Sequence, residues 1–259
     1  MKKALIVTVA GTATRFNRDT LSPTLKCLYH EDYPSRSLLA QILSKADDFD
    51  YFVIVGGYLF EQLELFCQKY LQKYLTRIFL VRNDHYSDLG SGYSLQLGVE
   101  VLPEDTDVVV FAEGDLFYSR EDFRNICDTT GDVLTVNRDF ITSRKAVALY
   151  VDPEGHPNYR YDTGHSLLDI PGEFLAVFNS AQIWKFTDVV KLRQAATPRN
   201  GHEIEGTNLE IIQRYFGSLT LDQYSILPVW PWHNCNTVAD YRRIWDGTPE
   251  GAHSPIQLK

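Results

Sequence analysis

The sequence predicts an α/β fold with a doubly wound, mostly parallel sheet and a smaller C-terminal lobe for a substrate. Short apolar runs rich in β-branched residues recur through the first half of the chain, segments with helical spacing separate them, and glycine-rich or acidic loops follow them. Strands that alternate with helices form right-handed βαβ units, and continuous apolar runs are typical of strands buried on both faces. The predicted architecture is therefore Rossmann-like.

The first half contains four predicted strands, at 4–9, 51–55, 77–81 and 107–112. Helices are predicted between them at 37–44, 60–74 and 94–101, with Ser35 or Ser37 as the N-cap of the first. Ligands of such sheets bind beyond the carboxyl ends of the strands. We therefore expect the loops after Val9, Val55 and Ala112 to lie on one rim of the sheet.

The pattern changes after residue 130. Strands are predicted at 133–136, 146–151 and 174–178, and helices at 181–196, 207–216 and 238–245, the last with Thr237 as its N-cap. Asp152-Pro153-Glu154-Gly155 is a turn signal, which predicts a hairpin between 146–151 and 158–161. Neither a repeat nor a linker divides the chain, so we predict one domain over 1–259 with halves at 1–130 and 131–259.

Composition narrows the class of protein. The 259 residues are 44% hydrophobic and 13% aromatic, which is typical of a globular protein, and the net charge of −9 argues against nucleic acid and membrane partners. The four cysteines form no CxxC pair, which favours buried free thiols in a reducing compartment. The N-terminal apolar run is too short for a signal peptide. We predict a soluble, cytoplasmic protein, a monomer or a homodimer.

The loop after the first predicted strand has the composition of a phosphate cradle. Small residues at 10–14 leave room for phosphate oxygens beside the backbone N–H groups, and Arg15 and the later Lys26 add cations. The loop lacks the Gly-Lys-Ser/Thr ending of a P-loop and the GxGxxG fingerprint of dinucleotide-binding proteins. An ordinary turn between strand and helix explains this loop equally well on local grounds.

Oxygen ligands for a hard cation occur at two further places. Glu113 and Asp115 follow the most apolar strand, so their carboxylates are expected on the same rim as the loop. Asn236 precedes the last predicted helix and carries an amide oxygen that a cation accepts. Taken alone, the first pair is also typical of a solvated acidic turn, and Asn236 of plain helix capping.

Together these features resemble the sugar-phosphate nucleotidyltransferases. The segment 10–16 followed by Lys26 is similar to the family signature A-G-x-G-T-R followed by P-K, Glu113-Gly114-Asp115 to its acidic motif, and Asn236-Thr237-x-x-Asp240 to its late motif. The three occur in family order over residues 3–245. The nearest resemblance is to small bacterial cytidylyltransferases of the phosphocholine and aminoethylphosphonate type. Ala13 and Leu25 depart from the signature, and a left-handed backbone at Ala13 would be strained.

The resemblance implies a glycosyltransferase-A-like fold with a nucleotide-binding half at 1–130 and an acceptor-binding half at 131–259. It implies transfer of CMP from CTP to a small phosphorylated or phosphonate acceptor, with release of pyrophosphate. Arg15, Lys26 and Asp115 are the implied catalytic residues, and Asp115 and Asn236 the implied Mg²⁺ ligands. The implied nucleotide-binding residues are Ala10, Gly11, Thr12, Ala13, Thr14, Gly57, Gly92, Ser94 and Glu113.

The acceptor is expected to contact the second half. Aromatic rings together with carboxylates suit a cationic head group, and the candidates are Tyr161, Glu203, Glu205, Trp230 and Trp232, with Tyr159 and His165 beside them. Arg144 and Lys145 are candidates for holding the acceptor phosphate, although a solvated charge at a strand edge is the better explanation of either residue taken alone.

Three alternatives stay open at this stage. A sugar-1-phosphate uridylyl- or thymidylyltransferase shares the motifs. A catalytically inactive nucleotide-binding regulator accommodates the departures at Ala13 and Leu25. A nicotinamide-dependent dehydrogenase shares the sheet but needs the missing glycine fingerprint.

Overall fold

The computed structural model describes residues 1–142, 147–161, 168–198 and 206–246. Its first half alternates strands and helices, and ends with a short strand and a fourth helix. In chain order the elements are β1 (Lys3–Thr8), α1 (Leu38–Lys45), β2 (Tyr51–Gly56), α2 (Phe60–Tyr70), β3 (Ile78–Arg82), α3 (Ser91–Glu100), β4 (Val108–Glu113), β5 (Leu116–Tyr118) and α4 (Arg120–Asp128).

The second half contributes further strands and three helices. These are β6 (Asp132–Asn137), β7 (Ala148–Val151), β8 (Pro157–Arg160), β9 (Ala176–Phe186), α5 (Val189–Ala196), α6 (Leu209–Phe216), β10 (Tyr224–Pro228), β11 (Trp232–Asn234) and α7 (Val238–Asp246). Short 3-10 turns, among them Phe16–Arg18 and Lys26–Leu28, connect the elements of the first half.

The main sheet has the order β10-β6-β9-β4-β1-β2-β3, and the hairpin of β7 and β8 joins it beside β9. Strands β4, β1, β2 and β3 are parallel, as are β10 and β6. Strand β9 runs antiparallel to both β4 and β6 and so links the two parallel sets. The prediction of a mostly parallel α/β sheet is confirmed.

Burial on both faces explains the apolar runs. In β1, Leu5 and Val7 pack in one hydrophobic cluster with α1 and α2, whereas Ala4 and Ile6 pack in another with α3 and α6. Alternate residues of a strand point to opposite faces, so a strand covered by helices on both sides is apolar throughout. Because β1 and β4 are parallel neighbours, their carboxyl ends meet at one rim of the sheet.

Several local predictions are confirmed. Ser37 caps α1 by accepting a hydrogen bond from the Ala40 amide, and Thr237 Oγ1 accepts from the Asp240 amide at the start of α7. The hairpin of β7 and β8 is antiparallel, and Gly155 in its turn has a φ of 87°. None of the helices in the described part of the chain has the length and apolar character needed to span a bilayer.

The predicted helix at 181–196 is wrong over its first half. Residues Ala181 to Phe186 belong to β9, and the helix α5 begins only after Asp188, whose side chain accepts a hydrogen bond from the Lys191 amide. An irregular stretch in β9 breaks the period-two pattern that would have identified a strand. Strands β5, β10 and β11 and helix α4 were not predicted.

Candidate active site

The loop after β1 is fixed at both ends and open in the middle. The Val9 amide donates to the Val55 carbonyl, and the Tyr58 amide donates to the Ala10 carbonyl. At the far end, Phe16 is fully buried and packs edge-on against Tyr29. A Cβ placed on Gly11 meets no heavy atom within 4 Å. A side chain at position 11 would therefore clash with nothing inside the protein.

Ala13 has a φ of 51°, in the left-handed region that favours glycine. The condition under which Ala13 was expected to strain the loop, a positive φ, is therefore met. A left-handed conformation costs a residue with a Cβ roughly 1–2 kcal/mol. The chain retains this loop shape although its sequence opposes it locally.

Four polar side chains converge from four distant segments. Lys26 Nζ donates to Asp115 Oδ2 at 2.6 Å and to Asn236 Oδ1 at 3.4 Å. Arg15 donates to the same Asn236 Oδ1 at 2.9 Å. The three motifs that the sequence separates by up to 221 positions thus form one hydrogen-bonded group at the carboxyl ends of β1 and β4.

The ion pair of Lys26 and Asp115 is largely shielded from solvent. The Asp115 side chain is 16% exposed and that of Lys26 is 22% exposed. Burial disfavours the Lys26 ammonium, but the charge of Asp115 and the hydrogen bond to it more than offset this effect, so the pKa of Lys26 is raised above its usual value. Lys26 therefore stays charged over the whole physiological pH range.

The donor set fits a magnesium ion. Asp115 Oδ1 is buried and has no hydrogen-bond partner among the described residues, so one carboxylate lone pair is left for a cation. Asn236 Oδ1 is already shared by two cationic side chains. Within the described residues, three or more His, Cys, Asp or Glu side chains do not cluster as a metal site. Mg²⁺ usually takes only one or two carboxylates and completes its shell with phosphates and water.

Glu113 is half-buried near Asp115, and one of its carboxylate oxygens is engaged by the protein. Its Oε1 accepts a hydrogen bond of 2.7 Å from Asn208 Nδ2. Burial and the neighbouring charge of Asp115 raise the pKa of Glu113 to about 7. The Asn208 amide in turn donates to Ser91 Oγ, so the end of β4 is linked to the starts of α3 and α6.

A capping arrangement holds Asn236 in place. Asp240 Oδ2 accepts hydrogen bonds from the Asn236 amide, the Thr237 amide and Thr237 Oγ1, at 3.1, 2.9 and 2.8 Å. The Cys235 amide donates to the Asp115 carbonyl at 2.8 Å. The late Asn-Thr-x-x-Asp segment therefore caps α7 and also fixes an amide oxygen beside the acidic strand end.

A cavity of about 1100 Å³ opens beside these residues. It runs from the loop after β1 to the second half of the chain. Of the residues predicted from the sequence, it is lined by Ala10, Gly11, Arg15, Lys26, Ser94, Glu113, Asp115, Tyr161, Trp230, Trp232 and Asn236. The predicted nucleotide-binding residues Thr12, Ala13, Thr14, Gly57 and Gly92 do not line it.

The contacts of Thr12, Thr14 and Gly57, and of the cavity-lining Ser94, are local. Thr12 and Thr14 hydroxyls lie 3.0 Å apart, and a Cβ on Gly57 would meet the Tyr86 side chain at 2.5 Å. Ser94 Oγ accepts a hydrogen bond from Asn83 Nδ2 in a buried position. Gly57 is thus explained by close packing, and the Ser94 hydroxyl is already engaged by the protein.

The predicted acceptor residues divide into four groups. Tyr161 and Trp230 are at the cavity and partly exposed, and the Arg138 guanidinium lies over the Trp230 ring. Trp232 is buried, and its Nε1 donates to the Ala181 carbonyl at 2.8 Å. Glu203, Glu205, Arg144, Lys145 and His165 lie outside the described residues. The Tyr159 hydroxyl accepts from Trp184 Nε1 and packs in the core.

Sequence patterns missed part of the cavity wall. Asn179 and Gln182 of β9 line it and are buried, and Asn208 and Arg138 also reach it. None of these residues belongs to a local motif. They come together because β9 lies between β4 and β6.

Residues 22–248 match a family described as a domain of unknown function (DUF6564), so the chain belongs to that family. No curated protein matches the chain.

Three solved structures with the same fold are nucleotidyltransferases by their names. The inositol-1-phosphate CTP transferase from T. maritima has a TM-score of 0.64 at 16% identity, over 96% of this chain and 98% of that chain. A putative glucose-1-phosphate thymidylyltransferase from Bacillus anthracis has 0.62 at 18%, over 93% of both chains. The CTP:phosphocholine cytidylyltransferase from Streptococcus pneumoniae has 0.61 at 18%, over 95% of this chain and 99% of that chain. The fold predicted from the resemblance is confirmed.

Proposed function

We propose that this member of the DUF6564 family is a magnesium-dependent nucleotidyltransferase that joins the nucleoside monophosphate of a triphosphate to a small phosphorylated acceptor. One observation carries the proposal. Lys26 donates to Asp115, both Lys26 and Arg15 donate to Asn236, and all four residues line the same cavity. Two cations, a carboxylate and a shared amide oxygen are what a triphosphate with its metal needs. Folds of this kind serve many reactions, so the proposal rests on the site.

The reaction follows from the charges at the site. An oxygen of the acceptor phosphate attacks the α-phosphorus, a new P–O bond forms, and the bond from the α-phosphorus to the bridging oxygen breaks to release pyrophosphate. Arg15 binds the leaving phosphates, and Lys26 neutralises charge near the α-phosphate. The acceptor is already an anion at neutral pH, so the reaction requires no general base. Catalysis is mainly positioning and charge neutralisation.

Asp115 would hold Mg²⁺, which supplies positive charge against the phosphates when it is bound. Asn236 would join it once Arg15 and Lys26 turn from the Asn236 Oδ1 to the phosphates. The buried, unpartnered Oδ1 of Asp115 supports this assignment. Gly11 allows a phosphate to approach the loop backbone, since no side chain fills that space. Glu113 supports the carboxyl end of β4 through its hydrogen bond with Asn208.

CTP is the triphosphate we propose, because the motif pattern is most similar to the small cytidylyltransferases. Two of the solved structures with this fold act with CTP by their names, and one is named for thymidylyl transfer. UTP and dTTP are therefore the competing substrates. The acceptor is a small phosphorylated compound or a phosphonate, bound on the β9 side of the cavity.

The test measures pyrophosphate release with MgCl₂, each of CTP, UTP, dTTP and ATP, and a panel of phosphorylated alcohols, amines and sugars. We expect release with CTP and one acceptor class, and loss of at least about 100-fold in Asp115→Asn, as for the removal of one electrostatic contact. Asp188→Asn is the matched control, because Asp188 caps α5 and lies outside the cavity lining.

Three results would contradict the proposal. One is equal release in Asp115→Asn and wild type. Another is activity that persists in excess EDTA. The third is tight CTP binding without turnover for any acceptor, which would favour the regulatory alternative. Calorimetry with CTP and MgCl₂ measures the binding independently of turnover.

A further inference from the structure

Gln182 has an unusual backbone in the middle of β9. Its φ is 59°, although it is neither glycine nor asparagine. The ladder with β6 is irregular there, since Leu134 pairs with Trp184 but Val136 pairs with Ser180. Bulges of this kind turn a side chain out of its regular direction and are frequent beside functional sites.

Neighbouring side chains hold the bulge in place. Thr135 Oγ1 donates to the Ile183 carbonyl and accepts from the Ile183 amide, which replaces ladder bonds that the bulge disrupts. The backbone N–H of Gln182 donates to Ser180 Oγ, and Trp232 Nε1 donates to the Ala181 carbonyl. The conformation of Gln182 is therefore fixed from three sides.

The side-chain oxygen of Gln182 accepts no hydrogen bond from the described residues. The residue is only 8% exposed and lines the cavity. Its Oε1 is buried and has no hydrogen-bond partner among the described residues. An unpaired buried oxygen is costly, and a bulge that maintains it beside a cavity indicates a bound donor.

The position of Gln182 is close to the reacting end of the site. Ile183 pairs with Ala112 in the antiparallel ladder of β9 and β4, which ends there, so Gln182 follows this last pair at the carboxyl end of β4. Asn179, also buried, lines the same wall. A ligand with its phosphate near Lys26 and Asp115 would bring its adjacent carbons to this wall.

We propose that Gln182 is the specificity-determining residue for the acceptor, and that its Oε1 accepts a hydrogen bond from a hydroxyl group near the acceptor phosphate. This inference rests on the proposed nucleotidyl transfer. The acceptor class it assigns is a hydroxylated phosphate ester. A trimethylammonium compound such as phosphocholine has no O–H or N–H to donate and leaves the oxygen unpaired.

The aromatic residues support a hydroxylated acceptor over a quaternary ammonium. The Arg138 guanidinium already lies 5.8 Å from the centre of the Trp230 ring, so a cation of the protein occupies one face of that indole. Trp232 braces the bulge through Ala181. Both tryptophans therefore already make contacts within the protein, and binding an alkylammonium group between them would compete with those contacts.

The experiment compares wild type with Gln182→Met, which keeps the length of the side chain and removes its hydrogen bond. The probes are glycerol phosphate, a hexose phosphate and phosphocholine, each with CTP and MgCl₂. We expect KM for the hydroxylated probe to rise about 10-fold or more in Gln182→Met. The dissociation constant for CTP and the melting temperature should stay close to wild type, which separates acceptor recognition from folding.

Each outcome bears on one of the two proposals. Phosphocholine as the preferred acceptor, or an unchanged KM in Gln182→Met, overturns the role of Gln182 while nucleotidyl transfer stands. Absence of CTP binding in wild type refutes nucleotidyl transfer itself. If CTP binds and no probe turns over, calorimetry with glycerol phosphate on the CTP complex decides, because equal affinity in both proteins overturns the inference.

Discussion

Gly11 offers a way to separate a glycine kept for folding from a glycine kept for a ligand. Its φ lies outside the left-handed region, and an added Cβ meets nothing within 4 Å. Gly11→Ala should therefore leave the free energy of unfolding unchanged or raise it by about 0.4–1 kcal/mol, because alanine restricts the unfolded chain more than glycine does. On the structure alone, the substitution is harmless.

Binding of a triphosphate should respond in the opposite direction. Gly11 is exposed and lines the cavity, so the new methyl group lies where a phosphate would approach the backbone. Loss of one hydrogen bond to a charged group costs about 1.5–3 kcal/mol. That corresponds to a dissociation constant for CTP with MgCl₂ that is roughly 10- to 100-fold higher, measurable by calorimetry.

Ala13→Gly is the reciprocal control in the same loop. It relieves the φ of 51° and should raise the free energy of unfolding by about 0.5–1 kcal/mol. Ala13 does not line the cavity, so CTP affinity should be unchanged. Wild-type affinity in Gly11→Ala, or a loss of more than about 1 kcal/mol of stability in that variant, would refute the reasoning.

Three further predictions concern residues around the site. Burial and the charge of Arg120 lower the pKa of Lys45 to about 7 from its usual value of 10.5. The charged Lys45 therefore destabilises the fold fully below pH 7, and this destabilisation is lost as the pH rises towards 10.5. Lys45→Met should therefore raise the free energy of unfolding by about 2–3 kcal/mol at pH 6, and urea titrations should show the gain shrinking by pH 10. Trp232→Phe removes the hydrogen bond to the Ala181 carbonyl and should cost about 1–3 kcal/mol in urea unfolding, whereas an unchanged midpoint would contradict the bracing role. Thr237→Ala removes the cap of α7 and should cost about 1 kcal/mol together with a measurable loss of CTP affinity, and intact affinity would separate the cap from the site.

The first half of the fold could be predicted because its strands are buried on both faces. Such strands are short apolar runs, and β1, β2, β3 and β4 were each predicted to within a few residues. Their carboxyl ends share a rim by topology, which is why the loop after β1 and Asp115 could be placed together before any coordinates. Residue chemistry alone made Lys26 and Asn236 candidates, and the motif resemblance joined them to the same site.

The second half was harder for reasons that are local and physical. In β9 the bulge at Gln182 interrupts the alternation of side chains, and Ala181 to Phe186 then reads with helical spacing. Strands β5 and β11 have three residues each, too few to establish a period. Helix α4 was detectable, because Ser119 caps it by accepting from the Asp122 amide.

Gln182 could not have been found by any pattern. A carboxamide in a strand carries no signal of its own, and its importance depends on the bulge, on Thr135 and on the neighbouring strand β4. Conversely, Trp230 and Trp232 attracted notice as an aromatic pair, yet one contacts Arg138 and the other the Ala181 carbonyl. Type and spacing identify charged motifs more readily than neutral ligand-binding groups.

The hydrogen bond from Arg15 to Asn236 joins positions 221 residues apart, which has a consequence for synthesis of the chain on the ribosome. The loop after β1 emerges among the first segments, but its partner emerges only with the start of the last described helix. A ligand that needs both positions has no complete site on a nascent chain and stabilises only the finished one by mass action. Such a ligand would therefore favour copies that contain both positions over copies terminated before Asn236.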